Sequence, residues 1–197
     1  MLSFIIVMKL SGSYQINLEK QKVWEALNNP EILKQAIPGC EEFVKKSETE
    51  FTATATNKIG PFNASFTGDI ELKEINAPNS YVIEGSGNSA VGFASGSAKV
   101  SLEDFEDGTK LVYEVEANVG GKIAQVGSRL IDMTAKKMAD IFFGKFSKLI
   151  SVKKTSSVEL PGDTKKETPV SKKSNNKIYI YSSIIVLVVI IIGYFII

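Results

Sequence analysis

The chain closes on an uncharged run, Ile178 to Ile197, with the sequence IYIYSSIIVLVVIIIGYFII, and no other feature restricts its folding as strongly. Thirteen of these twenty residues are Ile, Val or Leu. As a helix, such a run spans about 30 Å, the thickness of a bilayer hydrocarbon core. Its aliphatic side chains favour insertion by roughly 4–8 kcal/mol. A core helix or buried strand would not be apolar all round and set beyond a polar linker. The run is expected to be one transmembrane helix, leaving everything before it on one side of the membrane. Lys172, Lys173 and Lys177 stand just ahead of it. Positive residues there favour a cytoplasmic placement, so the expectation is a single-pass protein of the cell membrane with its N-terminal domain in the cytoplasm.

Of the 197 residues, 1–150 suffice for one ordinary domain with a real core. They carry 16 basic and 19 acidic side chains, while the remainder carries 7 and 3. A mildly acidic domain thus precedes a basic stalk. Such a domain gives no electrostatic reason to bind nucleic acid. The one cysteine, Cys40, excludes an internal disulfide and fits a reducing compartment. Histidine is absent, which removes the commonest general base and the commonest metal ligand. Neither catalytic residues nor a metal site is expected. The opening MLSFIIV lacks the positive flank of a secretory signal. Met8 begins a better-looking start, MKLSGSYQI, so residues 1–7 are expected to be an extension or a misassigned start.

Ser11 to Leu18 alternates polar and apolar, which predicts a strand. Lys20 to Asn28 has helical spacing through Val23, Trp24 and Leu27, and a second short helix runs from Glu31 to Ile37 before Pro38-Gly39 breaks it. From Glu41 to Val119 the pattern is β. Phe51, Ala53 and Ala55 alternate with Thr52, Thr54 and Thr56, while Phe62, Ala64, Phe66, Ile70 and Leu72 share one parity. Turn signals at Gly60-Pro61, Ala77-Pro78-Asn79, Asn88-Ser89 and Asp107-Gly108 divide this region into about six antiparallel strands. Gly120-Gly121 then opens the longest helix, Lys122 to Ile150. Its apolar stripe runs through Ile123, Val126, Leu130, Ile131, Thr134, Met138, Ile141, Phe142 and Leu149. Order β–α–α–β(×6)–α predicts an α+β domain over residues 8–150, a curved antiparallel sheet wrapped around its long C-terminal helix. Residues 151–177 are Lys-, Ser-, Thr- and Pro-rich without periodicity and are expected to be a disordered basic linker to the span at 178–197.

Several motifs admit two readings. Phe62, Phe66 and Phe93 stand with Ala64, Ala94, Gly92, Gly96 and Gly127, large aromatics facing small residues. That composition suits a solid core as well as an apolar cavity closed by Ile123, Val126, Leu130 and Met138 on the helix. Gly85-Ser-Gly-Asn-Ser-Ala-Val-Gly lacks the Lys-Ser/Thr and the following helix of a phosphate loop, and is expected to be a hairpin. Arg129 is the only arginine among 23 basic residues, with Asp132 three residues on and Lys136 four beyond that. These three form either a solvated ion network of little value or a docking face for a partner. Cys40 without histidine is no catalytic thiol.

The stretch VGGKIAQVGSRLIDMTAKKMADIFFGKF at 119–146 resembles the C-terminal helix of the carbon monoxide dehydrogenase G-subunit family. KVWEALNNPEILKQAIPGCEEF at 22–43 is similar to that family's N-terminal helices and Pro-Gly-Cys turn, and GFASGSAKVSLE at 92–103 to its late glycine-rich strand. The likeness covers Met8 to about Ile150. It implies the START-like (SRPBCC) helix-grip fold, with an apolar cavity between sheet and long helix, and so favours the cavity reading of the residues above. It further implies a non-catalytic accessory that recruits a carbon monoxide dehydrogenase-type molybdenum hydroxylase to the membrane and binds a lipidic, menaquinone-like quinone. The rival readings are a lipid-binding or lipid-transfer module unrelated to any dehydrogenase, and an enzyme of cyclase or hydrolase type, which the absent histidine disfavours.

Overall fold

The computed structural model describes residues 5–152. The expected span at 178–197 and all but the first two residues of the expected linker lie outside the described residues. Among the described residues, no helix is long and apolar enough to cross a membrane.

Seven antiparallel strands form one sheet: β1 (Ile5–Ile16), β2 (Cys40–Lys45), β3 (Glu50–Ile59), β4 (Phe62–Asn76), β5 (Ser80–Ser89), β6 (Gly92–Phe105) and β7 (Gly108–Gly121). Their order across the sheet is β1-β7-β6-β5-β4-β3-β2. Two short helices, α1 (Lys20–Leu27) and α2 (Pro30–Ala36), carry the chain from one edge of the sheet to the other. A 3-10 turn (Lys122–Val126) then leads into α3 (Ser128–Val152), which lies against the inner face. The first strand begins at Ile5, not Ser11, and residues 5–7 pair with 118–120 of β7 as part of the sheet.

Local chemistry explains these elements. Pro30 fits the first turn of α2, where an N–H would go unused, and the Asn29 side chain accepts hydrogen bonds from the Glu31 and Ile32 amides at 3.0 and 3.3 Å. Strand bends come from bulges, between Cys40 and Glu42 in β2 and between Lys73 and Asn76 in β4, which let the long sheet curl. Inside the curl, Phe142 meets Phe143 edge-on at 4.9 Å and stacks on Phe146 at 5.6 Å, all three at most 2% exposed. Trp24 of α1 packs edge-on against Tyr81 at 5.4 Å.

Two features depart from the sequence reading. The predicted continuous helix over 122–150 is broken at Gly127, whose φ of +87° is a conformation that L side chains rarely adopt. Nothing lies within 4 Å of where its Cβ would be, so this glycine serves the bend and not a packing contact. The turn expected at Asn88-Ser89 falls two residues later, at 90–91.

Candidate functional site

Alternation along each strand decides which side chains face α3. Across β3, β4, β5 and β6 one inward row reads Ala53, Gly68, Gly87, Ala94. The adjacent row continues Ile70, Gly85, Gly96, Ala117. Farther along, the rows become large: Leu72, Ile83, Ala98 and Val115, then Tyr81, Val100 and Tyr113. The inner face is therefore graded, small towards one end of the sheet and large towards the other. The small-residue end is where the β3–β4 and β5–β6 hairpins and the β7 exit all meet.

The candidate residues fall mostly at this end. Phe62 lies at the start of β4 opposite Ile59 and is half-buried, as are Val126 and Leu130. A Cβ on Gly60, in the β3–β4 turn, would stand 3.3 Å from Leu130 Cδ2 and 3.6 Å from Val126 Cγ1. The second hairpin is held as firmly: the Ile123 amide donates to the Val91 carbonyl at 3.1 Å, and Ile123 is fully buried. Phe66 and Met138 lie deeper, 1% and 3% exposed. Thr134 closes on its own helix, its hydroxyl donating to the Leu130 carbonyl at 2.6 Å.

Phe93 does not join this group. It pairs across β7 and β1 with Gly120 and Ile5 on the outer face, while its neighbour Ala94 points inward at 1% exposure. Its ring lies over Gly120, where any side chain would collide with it. Arg129, Asp132 and Lys136 do not form the ion network that is one of their two readings. All three are exposed, and none takes part in an ion pair among the described residues.

Midway along α3 a polar contact fastens helix to sheet. Tyr14 of β1 stacks on Phe143 at 4.0 Å, and its hydroxyl donates to the Asp140 carboxylate. Burial, reinforced by that carboxylate, pushes the Tyr14 hydroxyl pKa far up, so it stays a donor at any ordinary pH. Gly12 makes room for the Tyr113 ring beside this stack.

The outer face of the sheet holds an open groove of about 790 Å³ with Glu50, Asp69, Glu71, Glu84 and Glu116 along it. Lys46 binds Asp69 at 2.8 Å, Lys73 binds Glu84 at 2.6 Å, and Lys9 binds Glu116 at 2.5 Å. Pairs this exposed contribute little to stability. Among the described residues, no group of three or more Cys, Asp or Glu side chains could hold a metal ion.

Cys40, half-buried, donates to the Glu42 carbonyl at 3.4 Å. Burial pushes its thiol up to about 11. At pH 8 only about one thiol in a thousand is then ionised. Alkylation of the folded chain by iodoacetamide is expected to keep rising about tenfold per pH unit to near pH 10. A plateau near pH 9 would show the thiol to be solvated.

Residues 12–151 match the family of the carbon monoxide dehydrogenase G subunit, CoxG. The chain belongs to that family. No curated protein matches the sequence. Among solved structures, a conserved protein from Geobacillus kaustophilus is similar at 29% identity, with 74% of this chain and 96% of that one covered and a TM-score of 0.70. A protein from Rhizobium leguminosarum aligns at 13% identity over 77% of this chain and 99% of that one, TM-score 0.61. Zhui aromatase/cyclase from a Streptomyces species aligns at 9% over 79% and 100%, TM-score 0.59. At such identities these two share the fold alone, the helix-grip arrangement of a curved sheet around a C-terminal helix. CoxG is a family of accessory proteins, while the cyclase is an enzyme on the same fold. Fold by itself therefore does not decide between them.

Proposed function

We propose that this CoxG-family protein is a non-catalytic, membrane-tethered accessory that recruits a carbon monoxide dehydrogenase-type molybdenum hydroxylase and binds a lipidic quinone beneath the hairpin end of its sheet. The observation that carries the ligand half is the grading of the inner face. Glycine and alanine rows put the least side-chain bulk on the sheet side at the end where half-buried Phe62, Val126 and Leu130 stand, the end proposed as the ligand's way in. Such a lining fits an isoprenoid chain, which asks for apolar surface and few polar partners. The same chemistry would suit other lipids, so a lipid-transfer module without a dehydrogenase partner is the second reading. The tethering half rests on the apolar run at 178–197. Confinement to the bilayer raises the effective concentration of enzyme and lipid together without any new contact.

Two measurements test this. Full-length chain purified from cells should carry a quinone identifiable by mass spectrometry of its extracted lipids. A chain that arrives empty and does not bind added menaquinone would sink the ligand claim. Deleting 178–197 should move both the protein and its hydroxylase from the membrane fraction to the soluble one. A hydroxylase that stays on the membrane regardless has another anchor.

A further inference from the structure

The three connections at the hairpin end share a charge pattern. Residues 51–68, 85–102 and 117–131 contain no aspartate or glutamate. Lys58 stands beside the β3–β4 tip and Lys122 and Arg129 in the β7 exit, all exposed and in no ion pair among the described residues. The opposite end of the sheet is acidic, with Glu48, Glu74, Glu106 and Asp107 in or beside its turns. Apolar exposure follows the same division. Of the six large hydrophobic side chains exposed among the described residues, Ile5, Val7, Phe93 and Met133 lie at the hairpin end, at 57%, 65%, 37% and 63% exposure. Asp132 is the one carboxylate close by on the first turns of α3, and Lys136 and Lys137 follow it.

We infer that this end of the domain docks directly on an anionic bilayer surface, with Ile5, Phe93 and Met133 entering the headgroup region and Lys58, Lys122 and Arg129 meeting lipid phosphates. The inference rests on the reading of this end as the ligand's way in, and adds where that opening points. Charge complementarity selects the occupant: a surface that is apolar at its tips and ringed by unpaired cations matches anionic headgroups over acyl chains. Each cation near such a surface strengthens adsorption about fivefold, so three together give roughly a hundredfold. Docked in this way, the opening faces the lipid, and a quinone moves from bilayer to domain without crossing water. The basic linker then tethers a domain that already has a preferred orientation.

Full-length protein in vesicles tests the orientation. One set of vesicles is phosphatidylcholine alone, and the other replaces a quarter of it with phosphatidylglycerol, with no quinone in either. Amide hydrogen exchange in segments 57–63, 87–93 and 122–130 should slow about tenfold or more in the anionic set. Exchange within the β6–β7 pairing should match in both, which controls for folding. The triple variant Lys58→Glu, Lys122→Glu, Arg129→Glu should lose the slowing, and so should the native chain at high salt. Equal exchange of the tips in the two sets, or slowing that survives the triple variant, overturns the proposal. Quinone binding is scored separately in detergent, so its failure leaves the tip result standing. If the chain does not stay on neutral vesicles, docking still requires salt-sensitive capture by the anionic ones, and no capture overturns it.

Discussion

Phe142→Ala is expected to destabilise the domain by about 3–5 kcal/mol, the largest effect of any single truncation proposed for this chain. The ring is fully buried on α3, edge-on to Phe143 at 4.9 Å and stacked on Phe146 at 5.6 Å. Its removal deletes apolar area, two ring–ring contacts and the filling of a space that rigid strands cannot close. For a domain of this size the loss lowers Tm by roughly 10 °C or more. Denaturation of the full-length chain, followed by near-ultraviolet dichroism, measures it. Met133→Ala, on the same helix but 63% exposed, should stay within about 0.5 kcal/mol. A Phe142→Ala cost below about 1 kcal/mol would mean that the core beneath α3 is loosely filled, against the contacts seen there.

Much of the inner face is legible in the sequence, for a physical reason. Periodicity is carried by large apolar side chains, and where these alternate the parity is unambiguous. Phe51, Ala53 and Ala55, and Phe62, Ala64, Phe66, Ile70 and Leu72, all fall on the inner face as their spacing predicts. Both short helices and the six strands after them appear in the expected order. The signal fails where side chains become small. In GSGNSAVGFASGSA either face can take glycine or serine, so the lone Phe93 reads as lining although Ala94 is the inward residue. What settles its direction is pairing with Gly120, a neighbour about thirty residues on in sequence, which no local pattern encodes. The same blindness hides the graded inner face, because Gly68, Gly85 and Gly87 have meaning only once the strands are in register. Gly127 is ambiguous in another way. A glycine in a helical stripe suits a packing gap or a bend equally, and only its φ of +87° shows the bend. Arg129 and Asp132 have pairing distance in sequence but not in space, since exposed partners gain too little to hold two long side chains together.

If the hairpin end admits a lipid, Leu130→Trp should weaken menaquinone binding by about tenfold or more, equivalent to about 1.4 kcal/mol, while shifting Tm by only a few degrees. Leu130 is half-buried and its Cδ2 packs against the β3–β4 turn, 3.3 Å from where a Gly60 Cβ would be, at the rim of the proposed way in. An indole at that position outgrows this contact and covers the rim beside the hairpin. Because one side of the site is open to solvent, the added bulk can turn outward at little cost to the fold, unlike an equal insertion beside Phe142. Fluorescence or calorimetric titration of the detergent-solubilised full chain reads the affinity, and Leu130→Ala, which removes this contact, should bind at least as well as the native chain. Phe93→Ala supplies the contrast. Its side chain faces away from α3, so its removal should leave quinone affinity in detergent unchanged. Equal affinities for native, Leu130→Trp and Phe93→Ala chains would place the way in elsewhere. A loss with Phe93→Ala alone would move the ligand to the outer face. The pattern that supports the inner site is loss at Leu130 with indifference at Phe93, because only the graded inner face joins a half-buried apolar rim to small residues behind it.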